Sequence, residues 1–480
     1  MKSSPMWACA VLAFLNAALW AMVIPPYQVT DEQAHVSYAQ YMAETGRPPR
    51  PIGLSSPSYS EEQNAVLGAL PFSVEGAPSW SSADDQALRQ RLDDGLSRRA
   101  ESGAFRAATY PPLYYAIEAI PAWAGSSLSF LDRLYLMRVV SALFAGLTVA
   151  FVFLFLREVL PGTPSAWTVG ALAVAFQPVF GAIAGGVNND SLLFAAGAAL
   201  LFLLARSFRL GLTLRRGLAI GAVAAAGVLT KTTMVGLLPG AALGLMLLWW
   251  RGRGQPSQTA ARATLAAGGI FAGVTASWFA VDAFLFDRPL GGATGGMISS
   301  EVGQAISVRG QLSYLWQFYL PRLPFMADKF LGYSQYPIWD VYLQGFVGRF
   351  GWFQYGFPLW VNQIGLGVLA GISLMAGVTL FRCRESLRRR WPELCCYSAV
   401  LAGTALLIAV AGYRYRAATG SNFEQTRYLF PLLPLYGAVI ALAAQGAGRR
   451  WGQAVGTALV VLAVGHSLFA MLLTINRYYV

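Results

Sequence analysis

The sequence predicts an all-α polytopic membrane protein, one bundle of about eleven transmembrane helices (range 10–13), and three observations predict it. Of the 480 residues, 56% are hydrophobic and only 12% charged, with a positive mean hydropathy, a composition outside the soluble globular range. Apolar stretches close to 20 residues recur along the chain, the length a helix needs to cross the hydrocarbon core. Basic residues lie in short clusters between these stretches, so the net charge of +12 reads as membrane topology and not as a nucleic-acid surface.

The first stretch, 6–25, has only Lys2 ahead of it and is expected to be a retained span, not a cleaved signal. A long segment, 26–110, follows, rich in Ser, Ala, Asp and Arg, with a helix expected near Ala83–Ala104. Residues 111–123 open on Pro-Pro, contain Glu118 and are too short to span, so they read as an interfacial helix. Spans are expected at 134–156, 166–185, 191–208, 217–234, 235–250 and 263–285, then at 358–381, 396–412, 429–446 and 454–474. Between the two groups lies a second long loop, 286–357, rich in aromatic residues such as Trp316, Phe330, Tyr333, Tyr336 and Trp352. With eleven spans and the N-terminus inside, 16 basic and 3 acidic residues face the cytoplasm. The 26–110 loop, with 11 acids and 7 bases, then lies outside. Four cysteines, Cys9, Cys383, Cys395 and Cys396, form neither a disulfide framework nor a four-ligand zinc spacing. The chain is expected to be a single module with no internal repeat.

Under this topology several polar clusters fall on the extracytoplasmic side. Asp31-Glu32 directly follows the first span, and carboxylates at a lipid boundary are functional candidates; the alternative is a first-turn cap of a short helix. Asp31, His35 and Tyr38 share one helix face. Asp31 and His35 leave a divalent metal open, although the other histidine, His466, lies deep in the last span. Asn188-Asn189-Asp190 sits between two spans, as a turn with a helix cap or as a second carboxylate facing the first. Tyr110-Pro-Pro-Leu-Tyr114-Tyr begins the interfacial segment. Lys231 lies within an apolar span, where it either snorkels or meets an anion such as phosphate. Arg349 and Arg427 can clamp a phosphate bidentately or pair with acids such as Asp328 and Asp340.

Read together, these residues resemble the GT-C superfamily, polytopic glycosyltransferases that use polyprenyl-phosphate-linked donors. The resemblance rests on Asp31-Glu32-x-x-His35, Tyr110-Pro-Pro-Leu-Tyr-Tyr, Leu136-Met-Arg138-Val-Val-Ser141 and Asn188-Asn189-Asp190, in that order. Gly348-Arg349-Phe-Gly-Trp352 and Gln425-Thr-Arg427-Tyr-Leu-Phe-Pro431 look like an uncharacterised bacterial branch of it. Three positions depart from that branch: Val29, Tyr110 and Thr426 stand where Pro, His and Gly are expected. The resemblance implies a GT-C-like bundle that acts as an enzyme in the bacterial inner membrane, its site facing the periplasm. It implies Asp31 as general base, Glu32 orienting it or the acceptor, and Asp190 positioning sugar or acceptor. Lys231, Arg138, Arg427 and Arg349 are the candidates for the donor phosphate. His35, Tyr38, Tyr110, Tyr114, Asn188, Asn189, Trp352 and Gln425 are the candidates for substrate contact. The expected partners are a polyprenyl-phospho-sugar and a glycan, lipid or protein acceptor of the cell envelope, with no nucleic acid and no certain cofactor. Two rival readings stay open: a transporter or flippase of a lipid-linked saccharide, and a non-catalytic envelope-assembly subunit.

The chemistry suits these residue types. Cations stabilise the charge that grows on a departing phosphate. A carboxylate activates a weakly nucleophilic hydroxyl. A base and a leaving group on opposite faces of the sugar imply one displacement with inversion, which needs a single carboxylate instead of a hydrolase's pair.

Overall fold

The fold is that of a computed structural model, which describes residues 4–51, 59–70, 80–99, 104–252, 259–286, 307–326, 337–420 and 422–480. Asp328, Phe330, Tyr333 and Tyr336 lie outside the described residues. Among the described residues, nine helices are long and apolar enough to cross a membrane. A tenth is added if one bent pair counts as a span.

Pro25 and Pro26 cannot continue a helix, and α1 (Ser4–Val23) ends just before them. The first loop then forms α2 (Glu32–Thr45), α3 (Glu61–Ala69) and α4 (Ser82–Asp93). The helix expected near Ala83–Ala104 therefore stops at Asp93, two residues before Gly95, which takes the left-handed φ of 79°. A short parallel pair, β1 (Arg50–Pro51) with β2 (Ala104–Phe105), closes the loop. The interfacial helix α5 (Leu113–Ala124) has 12 residues, too few to span.

Helix α6 (Phe130–Val159) is the central strut, packed against α1, α5, α7 (Pro164–Ala175) and α9 (Asp190–Leu210). The expected span at 166–185 is broken. Pro178 starts α8 (Pro178–Ala184) at 61° to α7, because a proline nitrogen cannot donate to the preceding turn. The stretch at 217–234 is interrupted too. Helix α10 (Leu214–Thr230) has 17 residues, roughly 26 Å of rise, and breaks at Lys231. A 3₁₀ turn, Thr232–Leu237, leads into α11 (Leu238–Arg251). Gly217 and Gly221 lie against the carbonyls of Ala263 and Ala267 on α12 (Thr259–Leu285), the small-residue packing common between membrane helices.

The second loop contributes α13 (Val308–Tyr319), a π turn at Trp339–Leu343, α14 (Gln344–Gly348) and an antiparallel hairpin of β3 (Arg349–Phe350) with β4 (Tyr355–Gly356). The chain closes with α15 (Leu359–Arg382), α16 (Arg384–Arg389), α17 (Trp391–Thr419), a 3₁₀ turn at Thr426–Leu432, α18 (Leu433–Gly446) and α19 (Gly448–Tyr479). Leu359, Trp360, Ile364 and Leu374 on α15, and Val461, Leu462 and Phe469 on α19, are exposed, as lipid-facing residues are.

The two ends of the bundle differ. At the C-terminal end of α6, buried Glu158 is paired with Arg157, Arg206 and Arg209. At its other end lie Arg138 and the candidate residues of the first loop.

Candidate active site

Four elements deliver charge to one place. Tyr27 and Asp31 both adopt left-handed backbone angles, φ 63°, which turn the chain sharply between α1 and α2. Such conformations cost non-glycine residues energy and gather at functional sites. Phe353, in the hairpin beside the cleft, is the third such residue. Asp31 occupies the N-cap of α2 without using its side chain as a cap. Its Oδ2 instead accepts a 2.7 Å bond from Nη2 of Arg427, which removes the capping alternative.

Arg427 lies in the 3₁₀ turn before α18, its side chain 5% exposed. Its Nη1 is 3.4 Å from Oδ2 of Asp190, the first residue of α9. Oδ1 of Asp190 accepts a 2.6 Å bond from Lys231. Lys231 stands at the break after α10 and is buried, so it does not snorkel. Its ammonium lies 5.4 Å from the ring of Tyr110 and 5.6 Å from that of Tyr428, a cation–π cage that replaces part of its lost hydration. Asp31, Arg427, Asp190 and Lys231 thus form a linear chain of two carboxylates and two cations. Only Asp31 reaches solvent, with 32% of its side chain exposed.

The chain is electrically neutral but not saturated. Nε and Nη1 of Arg427, Oδ2 of Asp190 and Oδ1 of Asn189 are buried without a hydrogen bond. Nη1 of Arg427 and Oδ2 of Asp190 face each other as an ion pair without hydrogen-bond geometry, which leaves guanidinium donors available to an oxyanion. Burial raises the Asp31 carboxyl, but the cationic Arg427 and Lys231 outweigh it and hold the group below the usual carboxylate range. Burial, with Lys231 and Arg427 nearby, pushes His35 down to about 3 against the pull of Asp31, so its ring is neutral. Its Nδ1 is bonded to the Tyr115 hydroxyl at 2.8 Å, and Asn189 Nδ2 donates to the same hydroxyl at 3.3 Å.

Several sequence candidates turn out to build the site and not to face it. Glu32 is wholly buried: its carboxylate accepts from Arg138 Nε (2.8 Å) and Nη2 (2.6 Å), Tyr27 N–H (2.9 Å) and Val187 N–H (3.0 Å). Arg138 donates in addition to the carbonyls of Ala21, Ile24 and Pro25. All five of its N–H groups are thereby used, and none is left for a phosphate. Tyr38 is buried with its ring stacked 3.7 Å from Tyr115, and Tyr114 is buried on Ser141 (2.7 Å). Neither is placed to meet a substrate. Asn188 ties the two acidic loops together, donating to Thr30 O (2.8 Å) and accepting from Asp190 N–H (2.9 Å). The loops can approach because of Gly185 and Gly186. A Cβ there would lie 2.7 Å from the Ala17 carbonyl oxygen and 2.6 Å from the Val29 side chain.

Arg349 faces the same cleft from the hairpin, over the ring of Phe353 and bonded to the Asp340 carbonyl at 3.3 Å. Thr30 Oγ1 ties the Asp31 loop to Gly351 O at 2.8 Å. Thr30, Arg349, Gly351, Gln425 and Arg427 line a cavity of about 30 Å³, room for roughly one water. Trp352 is 43% exposed and does not line it. Among the described residues no group of three His, Cys, Asp or Glu side chains is placed to hold a metal, and a guanidinium bridges the two aspartates. Sequence reasoning missed Tyr115, the hub for His35, Tyr38 and Asn189, and Tyr428 beside both cations. Both adjoin named residues, and i, i+1 adjacency does not show which of two tyrosines turns inward.

Residues 14–436 match the family model described as "Predicted membrane protein (DUF2142)". No curated protein matches the sequence. The structure is similar to ArnT from Cupriavidus metallidurans, solved bound to undecaprenyl phosphate, with TM-score 0.51 at 12% identity over 99% of this chain and 77% of that one. The archaeal oligosaccharyltransferase AglB from Archaeoglobus fulgidus, solved with an inhibitory peptide and a dolichol-phosphate, matches with TM-score 0.45 at 13% identity over 99% of this chain and 56% of that one. The ArnT likeness is one of fold: an all-α membrane bundle.

Proposed function

The chain belongs to the DUF2142 family of predicted membrane proteins, and for this member we propose glycosyl transfer from a polyprenyl-phosphate-linked sugar to a cell-envelope acceptor. The observation that carries the reading is the neutral lattice of Asp31, Arg427, Asp190 and Lys231 with its unsatisfied guanidinium donors. On this reading the carboxylates hold the two cations until a phosphate arrives. The phosphate takes Arg427 and Lys231, and their charge stabilises the leaving group. Asp31, released from Arg427, becomes the better base. The acceptor hydroxyl attacks the anomeric carbon as the carbon–oxygen bond to phosphate breaks. The electron pair leaves with the polyprenyl phosphate, and the hydroxyl proton passes to Asp31. One displacement inverts the anomeric centre. Lys231, the residue best suited to a transporter, is bonded to Asp190 within this same cluster before the phosphate arrives. Charge supports the side of the membrane on this reading: the Glu158 end carries arginines expected in the cytoplasm, and Asp31 is at the opposite end.

The test offers purified protein in lipid a panel of labelled polyprenyl-phospho-sugars with envelope extract. Release of polyprenyl phosphate from one donor is expected. Movement of intact donor across the bilayer without release would establish the flippase instead. With the accepted donor, the pH profile has a definite sign. In the free protein Arg427 keeps Asp31 below the usual carboxylate range, so the acid limb of kcat/KM lies low. Once phosphate occupies Arg427, the Asp31 carboxyl rises, and the acid limb of kcat shifts to higher pH. Coincident limbs would mean that Arg427 never leaves Asp31.

A further inference from the structure

On the far side of α2 from His35 lies a second and much larger cavity, of about 300 Å³, roughly the liquid volume of ten waters. We propose that it binds the phosphate headgroup of an amphiphile, with the first carbons of the chain on its apolar floor. The inference does not depend on the transfer reading.

Its floor is apolar and buried: Val36 from α2, with Phe130, Leu134 and Met137 from α6. Its rim is basic. Arg133 is 8% exposed, lies over the Phe130 ring and pairs with buried Glu62. Arg98 pairs with the same carboxylate at 3.1 Å and donates to Ser126 O at 2.5 Å. Arg99 is exposed and has no ion-pair partner among the described residues. Three arginines stand against Glu44 and Glu62, which leaves one positive charge on the rim. One carboxylate shared by two guanidiniums leaves donors over for an oxyanion, and arginine forks suit phosphate. Trp123 also lines the cavity and is 68% exposed, with Ile120 64% exposed one turn earlier on α5. Such residues sit at headgroup depth, so the mouth opens where lipid phosphates lie. A basic rim over an apolar pocket at that depth matches an anionic amphiphile better than a free anion or a neutral sugar.

The probes are dodecyl phosphate, inorganic phosphate and dodecyl maltoside, with protein kept in a nonionic detergent. Titrations use the Arg427→Gln background, so that the other phosphate candidate contributes least. Dodecyl phosphate is expected to bind, and adding Arg98→Ala and Arg99→Ala to weaken it at least about tenfold, the loss of two charge-assisted contacts. Inorganic phosphate is expected to bind at least about tenfold more weakly, since it gains nothing from the floor. Met137→Trp, which fills the floor from α6, is expected to reduce dodecyl phosphate binding and leave inorganic phosphate binding unchanged. Equal affinity for the two phosphates, or binding untouched by the arginine pair and by Met137→Trp, would overturn the proposal. So would equal binding of dodecyl maltoside, or loss of all binding through Arg427→Gln alone.

Discussion

Arg427→Gln is expected to lower turnover by about 10²–10³-fold, the usual effect of removing one preorganised donor to developing charge. Arg427 is the only one of the four lattice residues that touches both carboxylates, and two of its nitrogens are buried without a hydrogen bond. Glutamine keeps a donor for Asp31 but has neither the charge nor the fork. Lysine is expected not to restore activity, because one ammonium cannot reach two anions in the guanidinium's geometry. The fold is expected to survive. Asp190 keeps its 2.6 Å bond to Lys231, and Asp31 is one-third exposed and can take water. Steady-state release of polyprenyl phosphate, read beside a melting curve, checks both halves. Full turnover in the folded variant would remove the phosphate from Arg427.

Arg138→Leu is expected to do the opposite, and to act through stability. The guanidinium is wholly buried and holds Glu32 and three carbonyls at the end of α1, so leucine strands a carboxylate in a dry interior. Breaking a buried pair by removing one partner costs about 3–5 kcal/mol. Folding stabilities are about 5–15 kcal/mol, so a large share of the stability margin is lost. The expected readout is loss of a monodisperse peak in detergent, or a large fall in melting temperature. Glu32→Gln is expected to destabilise as well, since its single carbonyl oxygen can accept from Tyr27 N–H or from Val187 N–H but not both, and its amide nitrogen then faces the other donor. A well-folded Arg138→Leu that had lost only donor binding would return Arg138 to the phosphate site.

These two arginines show what the chain discloses and what it hides. The membrane bundle is legible because its cause, long apolar runs with charge between them, is local. That Asp31 and Asp190 share one end is legible too, because each directly adjoins a span. Their partners are not. Arg138 and Arg427 both lie near the end of an expected span, and only tertiary contacts 106 and 396 residues apart assign them to Glu32 and Asp31. Neighbouring carboxylates part company for the same reason: the left-handed turn at Asp31 aims it at the cleft while Glu32 turns into the core. The break at Lys231 had a signal in Thr230-Lys231-Thr232-Thr233, a polar interruption that the expected span boundary at 234 placed too late. The bend before Pro178 had a visible signal in the proline itself.

The most direct measurement of the central claim is sugar transfer by wild type and Asp31→Asn, with the donor that wild type accepts. Asparagine keeps the size of the side chain and can still accept from Arg427, but it cannot take a proton at neutral pH. The account predicts that the folded variant binds donor and transfers about 10²–10⁴-fold more slowly, the range of a lost general base. Wild-type product is expected to carry the inverted anomeric centre. Equal transfer by the two proteins, or retained configuration, would contradict it.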